Sequence, residues 1–557
     1  MRVERIWLKN YPDGVPSDID MSEYASLKDI IESSCEKFRH LPAYSNMGVV
    51  MDYAKLEALS RAFGAWLQNE AGLSKGDRVA IMMPNILQYP VAVFGALRAG
   101  MVVVNVNPMY TPRELEHQLT DSGADAIVIV ENFAHTLEKV VSKVSLKKII
   151  TTQIGDLLGF PKSFITNLVV KRVKKMVPAF SLPGAVSFQQ ALSAGAGQAL
   201  NDVTLTHDDL AFLQYTGGTT GVAKGAMLSH GNMVANLLQS AWWITNNTDE
   251  GEDRVITALP LYHIFSLTAN CLTFMKMGGE NVLITNPRDF DGFIKELKAK
   301  PFTGFTGVNT LFNALLNHPE FKNVDFSELK LTLGGGMAVQ RAVAEQWREV
   351  TGRTLVEAYG LTETSPAACI NPMDNDSFNG SIGLPVPSTT VTIRDDDGNE
   401  LPLGEVGEIC IDGPQVMQGY WKREEATAET MTADGALRTG DMGRMDENGF
   451  TYLTDRKKDM ILVSGFNVYP NELEDVLCLH DGILEAAAIG VPDEKSGEAI
   501  KVFVVLIDKA LDPAAIKAHC REHMTAYKIP RIIEFRDELP KSNVGKILRR
   551  ELRDAEA

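Results

Sequence analysis

The sequence predicts an α/β fold: a large N-terminal domain of α/β sheets with a barrel-like β subdomain, then a small α+β C-terminal domain. Three observations predict it. Strand-like and helix-like stretches alternate over the first 150 or so residues, short strands with turn residues fill 382–416, and about 100 residues follow a charged knot near 455–459. At 557 residues the chain exceeds one ordinary core and should divide into at least two domains.

In chain order, 56–67 has the apolar spacing of a helix, and 79–83 (Val-Ala-Ile-Met-Met) reads as a buried strand ended by Pro84-Asn85. A helix over 90–99 closes at Gly100, followed by a strand at 102–104, a helix at 114–120 and a strand at 126–130. Strands that are apolar throughout, at this rhythm, predict a parallel sheet with crossover helices covering both faces. Between Leu157 and Asn201 there is no Asp or Glu, while Lys162, Lys171, Arg172, Lys174 and Lys175 are present. Around a helix near 164–177, Ile165, Val169, Val170, Val173, Met176 and Val177 share one side and the cations fall largely on the other. Two expectations stand side by side: peripheral contact with an anionic membrane, or a helix packed on the core with its cations in water.

Next comes Tyr215-Thr216-Gly217-Gly218-Thr219-Thr220-Gly221-Val222-Ala223-Lys224-Gly225, entered from the apolar run 210–213. Glycines let several N–H groups converge on one concavity, threonines add donors and Lys224 adds a cation, which is the chemistry of a polyphosphate loop. The pattern G-x-x-x-x-G-K-[ST] does not fit, so the loop is of another lineage. Further on, 233–243 reads as a helix, and a strand at 255–259 runs into Pro260-Leu261-Tyr262-His263, placing His263 at a strand end. Another strand enters Gly334-Gly335-Gly336, where backbone could approach a ligand. The strand at 354–358 leads to Tyr359-Gly360-Leu361-Thr362-Glu363: an aromatic platform, a hydroxyl for phosphate and a carboxylate for Mg²⁺, or merely a capped turn. Thr439-Gly440-Asp441, Asp455-Arg456-Lys457-Lys458 and Pro540-Lys541-Ser542-Asn543-Val544-Gly545-Lys546 complete the charged segments.

These motifs, in this order along essentially the whole chain, resemble the adenylate-forming family of acyl-CoA synthetases, luciferases and peptide-synthetase adenylation domains. Residues 434–458 are similar to the signature segment of fatty acyl-CoA synthetases, above all the bacterial long-chain branch serving fatty acid degradation. Ala436 and Arg438 depart from that pattern, standing where it usually carries tryptophan and histidine. The resemblance implies ATP-dependent conversion of a fatty acid to acyl-CoA through an acyl-adenylate. Thr216, Gly217, Gly218, Thr219, Thr220 and Lys224 would hold phosphates, Thr362 would contact phosphate and Glu363 would bind Mg²⁺. Tyr359 would stack on adenine, while Asp441 and Arg456 would serve the ribose. Lys546 would bridge carboxylate and α-phosphate, His263 would stand beside the acyl carboxylate, and Gly334, Gly335 and Gly336 would line the acyl pocket. Domains over 1–457 and 458–557 are implied, the second a mobile lid with its hinge at Lys458 and with Gly465 in the CoA tunnel.

Composition narrows the rest. Apolar content is 45%, no apolar run is long enough to span a bilayer, and the charged start is not that of a signal peptide. Six cysteines without C-x-x-C spacing predict reduced thiols in a cytoplasm and no structural zinc. A formal charge of −18 argues against nucleic acid as partner. A cytoplasmic protein is expected, with docking on the inner membrane's cytoplasmic face and a homodimer both left open. Three other readings stay in view: a medium-chain or aryl acid–CoA ligase, an enzyme loading a carrier protein, and a non-catalytic lipid-sensing relative.

Overall fold

A computed structural model describes residues 4–216, 223–464, 466–493 and 496–556. Two large sheets form the body. The first has seven strands, in which Arg78–Met82, Val102–Asn105, Ala126–Val130 and Leu210–Thr216 pair in parallel, and Lys224–Ser229 closes one edge antiparallel. Every residue of Ala126–Val130 is buried, as continuous apolar strands covered on both faces require. The second sheet has nine strands, parallel from Glu280–Leu283 through Arg254–Thr257, Gly304–Gly307 and Leu331–Gly334 to Val356–Gly360. Crossover helices begin where the sequence supplies caps. In Pro112–Ser122, Thr111 and Glu114 form a reciprocal capping box, Pro112 fills the first turn, and Gly123 ends the helix at φ +65°.

The sheets are tied by polar groups at the seam. Asn85, just past Arg78–Met82, donates to the carbonyls of Thr257 and Leu259 at 3.0 and 2.9 Å and accepts from the Leu261 N–H at 2.8 Å. Tyr89 donates to the Leu261 carbonyl and Gln214 to that of Tyr262, at 2.7 and 2.8 Å. All three side chains are buried, so these bonds are strongly specified. They fix the 260–265 loop, and His263 with it, between the sheets.

The stretch 382–416 enters a four-stranded antiparallel sheet of Thr390–Arg394, Gly407–Asp412, Leu437–Met445 and Thr451–Arg456. Beyond it lies a small α+β unit: a mixed sheet of five strands, packed with helices Pro470–Cys478, Pro513–His523 and Arg549–Asp554. Among the described residues no helix is long and apolar enough to cross a membrane, and all six cysteines are free and buried. The basic helix exists as Lys162–Leu168 continued by a wider turn over Val169–Val173. It is not packed on the core, because none of its residues is buried.

Candidate active site

A cleft of about 2150 Å³ opens where the two sheets, the antiparallel sheet and the C-terminal unit meet. Its walls include Thr216, Lys224, His263, Gly335, Gly336, Tyr359, Thr362, Glu363, Asp441, Arg456, Lys458 and Lys546. Gly217, Gly218, Thr219, Thr220 and Gly465 lie outside the described residues.

One wall is built from a strand end and a hairpin. Tyr359 closes Val356–Gly360, and its hydroxyl donates to Asp441 Oδ2 at 2.6 Å. Asp441 is paired in register with Arg456 on the neighbouring strand, and Arg456 Nε stands 3.2 Å from Asp441 Oδ1. The carboxylate is buried yet held by a phenol and a guanidinium, so it stays ready to accept from hydroxyls. Burial, followed by the Asp441 charge, pushes the Tyr359 phenol well above its usual range. It therefore remains a neutral donor and an apolar face.

On another wall, Thr216 and Lys224 are direct cross-strand partners of two antiparallel strands. Lys224 Nζ lies 5.1 Å above the Tyr420 ring, and Tyr420 donates to Glu363 Oε1 at 2.5 Å. A cation and a carboxylate are thus seated on one aromatic side chain. Tyr420 escaped sequence reasoning, although Gly419-Tyr420-Trp421 is an unusual aromatic pair after a glycine. Thr362 and Glu363 share a single turn, Thr362–Thr364, fixed by the Met417 N–H donating to the Glu363 carbonyl at 2.8 Å. Among the described residues no cluster of three or more His, Cys, Asp or Glu could hold a metal. The single carboxylate of Glu363 is a donor set that would suit Mg²⁺, which takes few protein ligands and completes its shell with substrate oxygens and water.

Toward the interior, His263 caps a short helix, its Nδ1 accepting from the Phe265 N–H at 3.3 Å. Burial, and then the Lys546 ammonium, hold its pKa down to about 4, so the ring is neutral at physiological pH. Gly335 lies against the Ala358 carbonyl and the Phe265 ring, 3.1 and 3.2 Å from where a Cβ would stand. Gly334 does not reach the cleft wall, since a Cβ there would meet Val339 at 2.7 Å and Leu355 at 3.5 Å in the core. The cleft is also lined by Ile244, Ala269, Phe274, Leu331 and Met373, of which Ile244, Phe274, Leu331 and Met373 pack in one apolar cluster. No local sequence signal marks those residues, because their type is that of any core.

The C-terminal unit closes the cleft. Gly545, at φ +83°, accepts from Thr310 Oγ1 at 2.9 Å, and a Cβ there would approach that oxygen to 2.7 Å. Asn313 donates to the Leu484 carbonyl at 2.8 Å, and the Arg341 N–H to Asp475 at 3.2 Å. Lys546 is thereby inserted among His263, Asp441 and Arg456. Burial, then Arg456, lower its pKa to about 8. Arg549, half-buried and held charged by these acids, meets Asp455, Asp459 and Glu474 at 3.1, 3.5 and 2.6 Å, clasping the segment around Lys458. Arg438, the departure in the signature segment, pairs with Glu408 at 3.3 Å, and Glu408 accepts from the Gly440 N–H at 3.1 Å. Its guanidinium thus braces the strand segment that carries Asp441.

The AMP-binding enzyme profile matches residues 31–421 and that of the AMP-binding enzyme C-terminal domain residues 472–546. A long-chain-fatty-acid–CoA ligase of Yersinia pestis is 59% identical over 554 residues, covering 100% of this chain and 98% of its own. One of Haemophilus influenzae is 55% identical over 556 residues, covering 100% and 99%. The crystal structure of the anthranilate CoA ligase AuaEII with anthranoyl-AMP superposes with a TM-score of 0.86 at 26% identity, over 97% of this chain and 99% of that one.

Proposed function

The chain belongs to the AMP-binding enzyme family, and from that premise we propose that it is an ATP-dependent long-chain fatty acid–CoA ligase serving fatty acid degradation. The observation that carries this reading is Lys546, delivered by the C-terminal unit to a point between His263 and the Tyr359–Asp441–Arg456 set. An ammonium there stands where a carboxylate and a nucleotide α-phosphate would meet. The apolar cluster of Ile244, Phe274, Leu331 and Met373 in the cleft lining supports a long alkyl chain, as do relatives named for such acids.

A carboxylate is a poor acyl donor because its leaving group would be oxide. Attack of a carboxylate oxygen on the α-phosphorus of ATP expels pyrophosphate and leaves acyl-AMP. The thiolate of CoA then attacks the acyl carbon, AMP departs, and the thioester forms. Both steps concentrate negative charge, so positioning and electrostatics carry catalysis. Lys546 neutralises carboxylate and phosphate oxygens as they close. Neutral His263 stands at the acyl entrance. Tyr359 offers its face to adenine, while Asp441 and Arg456 take the ribose. Thr216, Gly217, Gly218, Thr219, Thr220, Lys224 and Thr362 hold the phosphates. Glu363 would hold Mg²⁺, which when bound offsets charge on the phosphate oxygens. Gly335 and Gly336 let the acyl chain pass between strand end and nucleotide.

In this reading 1–457 is the body and 458–557 a lid turning about Lys458, after which Gly465 lines the path of the thiol. The enzyme works in the cytoplasm, and the basic segment near 164–177 supports contact with the inner face of an anionic membrane. The test is AMP release with CoA across saturated acids from butyrate to stearate and one aryl acid. A maximum at long chains is expected, whereas a maximum at short or aromatic acids overturns the substrate assignment. Gly465→Leu should abolish acyl-CoA while sparing pyrophosphate exchange; loss of both would remove Gly465 from the thiol path.

A further inference from the structure

Asp475 stands in the last turn of the lid helix Pro470–Cys478, where no basic residue offsets it. A negative charge at a helix C-terminus opposes that helix's own dipole, so the C-terminal unit alone does not account for it. Its Oδ1 instead accepts from the Arg341 N–H at 3.2 Å, across the seam with the body. The contact is made through backbone. The Arg341 guanidinium is turned to Glu345 at 3.7 Å and lies 5.5 Å over the Phe378 ring.

Arg341 opens the body helix Arg341–Thr351, and that helix has no cap of its own. Gln340 makes no side-chain capping bond, and no acid lies in the first turn. Three successive N–H groups at this end are taken by side chains from elsewhere: Val339 donates to Glu357 at 3.1 Å, Gln340 to Asn309 at 3.0 Å, and Arg341 to Asp475. The first two acceptors belong to the body and stay with it, whereas the third departs whenever the lid does. Burial raises the Glu357 pKa to about 8, so that carboxyl is largely protonated at neutral pH. Negative charge at the positive end of this helix therefore comes from Asp475, in a charge-assisted bond. The same seam holds Cys478, whose Sγ accepts from Gln340 Nε2 at 3.1 Å, and Gly545, which accepts from Thr310 next to Lys546 in the chain.

We propose that Asp475 is the latch of the lid: seated on the N-terminus of Arg341–Thr351, it holds the C-terminal unit where Lys546 is inserted, and so acts as a positioning residue for adenylate formation alone. This rests on the ligase reading. A lid that must leave in every turnover can be held shut only modestly, so the loss of one capping bond shifts it measurably.

Asp475→Ala should slow oleate-dependent pyrophosphate release without CoA by about tenfold, and Asp475→Asn, which still accepts the bond but brings no charge, by about threefold. Thioester formation from supplied oleoyl-adenylate and CoA should not slow in either. Arg341→Pro removes the same bond from the other side. Proline fits there, because 341 is the first helical residue and Gln340 before it is extended at φ −76° and ψ 138°. Arg341→Pro should reproduce Asp475→Ala, Arg341→Ala should lose less because it keeps the N–H, and the double variant Arg341→Pro/Asp475→Ala should be no slower than either single one. A second measurement needs no catalysis. Cys478 is buried at the seam, so its alkylation by iodoacetamide, followed by peptide mass spectrometry, reports lid opening. Asp475→Ala and Arg341→Pro should each raise that rate by about tenfold, the second with Asp475 still beside the thiol.

Unchanged pyrophosphate release or unchanged alkylation in Asp475→Ala overturns the proposal. Equal slowing of both half-reactions, or additive losses in the double variant, also overturns it. Alkylation that rises as described in a protein releasing no pyrophosphate with any acid counts against the ligase reading and leaves the latch standing.

Discussion

Lys546 carries a heavy demand, because a cation must be drawn largely out of water into the cleft to act there. With its pKa near 8, the free enzyme loses that charge just above neutrality. The kcat/KM for adenylate formation should therefore fall above about pH 8, since kcat/KM reports the free enzyme's groups. The residual rate of Lys546→Ala should stay flat there, and a fall of the same shape in that variant would assign the limb to another group. Glu357 makes the opposite kind of prediction. It is buried in the cleft wall, accepts from the Val339 N–H at 3.1 Å, and burial raises its pKa to about 8. The folded state then holds a proton that the unfolded chain, with a pKa near 4.5, releases. Its contribution is present at low pH and declines as pH rises toward 8. Melting of Glu357→Gln should vary less than wild type between pH 6.5 and 8, a window above the range where His263 titrates. Tyr420→Phe removes the phenol that braces Glu363 under Lys224. The KM for ATP should rise several-fold, with melting changed by no more than a buried hydrogen bond is worth, about 1 kcal/mol.

The parts of the site legible in the sequence were those whose backbone or charge has few other uses. Gly335-Gly336 and Gly545 lie where turns and close approaches are needed, and Asp441 and Lys546 are charges that their enclosed positions must explain. Strands such as Ala126–Val130 were legible because both faces demand apolar residues. What stayed hidden depends on partners distant in sequence or on direction. Glu363 and Tyr420 meet across 57 positions. Ile244, Phe274 and Met373 have the composition of any core and become a pocket only through the packing of separate elements. Gly334 was expected on the pocket wall, but residues alternate in facing along a strand, and it is Gly335 that lies against Phe265. The periodicity of 162–173 marked two sides without saying which was packed. The lid loop gives a prediction at this scale. Gly545→Ala forces a left-handed residue against Thr310, a strain of about 1 kcal/mol or more. It should slow adenylate formation about tenfold and spare thioester formation from supplied acyl-adenylate. Equal loss of both would show that the loop does not act through closure.

At the scale of the molecule, two sheets and an antiparallel sheet make a cleft that a separate unit closes. Among the described residues the closing contacts include the polar pairs Thr310 to Gly545, Asn313 to Leu484, Arg341 to Asp475 and Gln340 to Cys478. A surface of that kind can part and re-form, unlike the apolar cores on either side of it. The Arg549 clasp lies beside Lys458, where a hinge would turn. The most direct measurement is oleate-dependent exchange of labelled pyrophosphate into ATP, with Mg²⁺ and without CoA, in wild type and Lys546→Ala. Beside it runs thioester formation from supplied oleoyl-adenylate and CoA. Wild type should catalyse exchange, and Lys546→Ala should lose it by about a thousandfold while keeping most of its thioester formation. Absence of acid-dependent exchange in the wild type, or equal loss of both steps in the variant, would contradict the account.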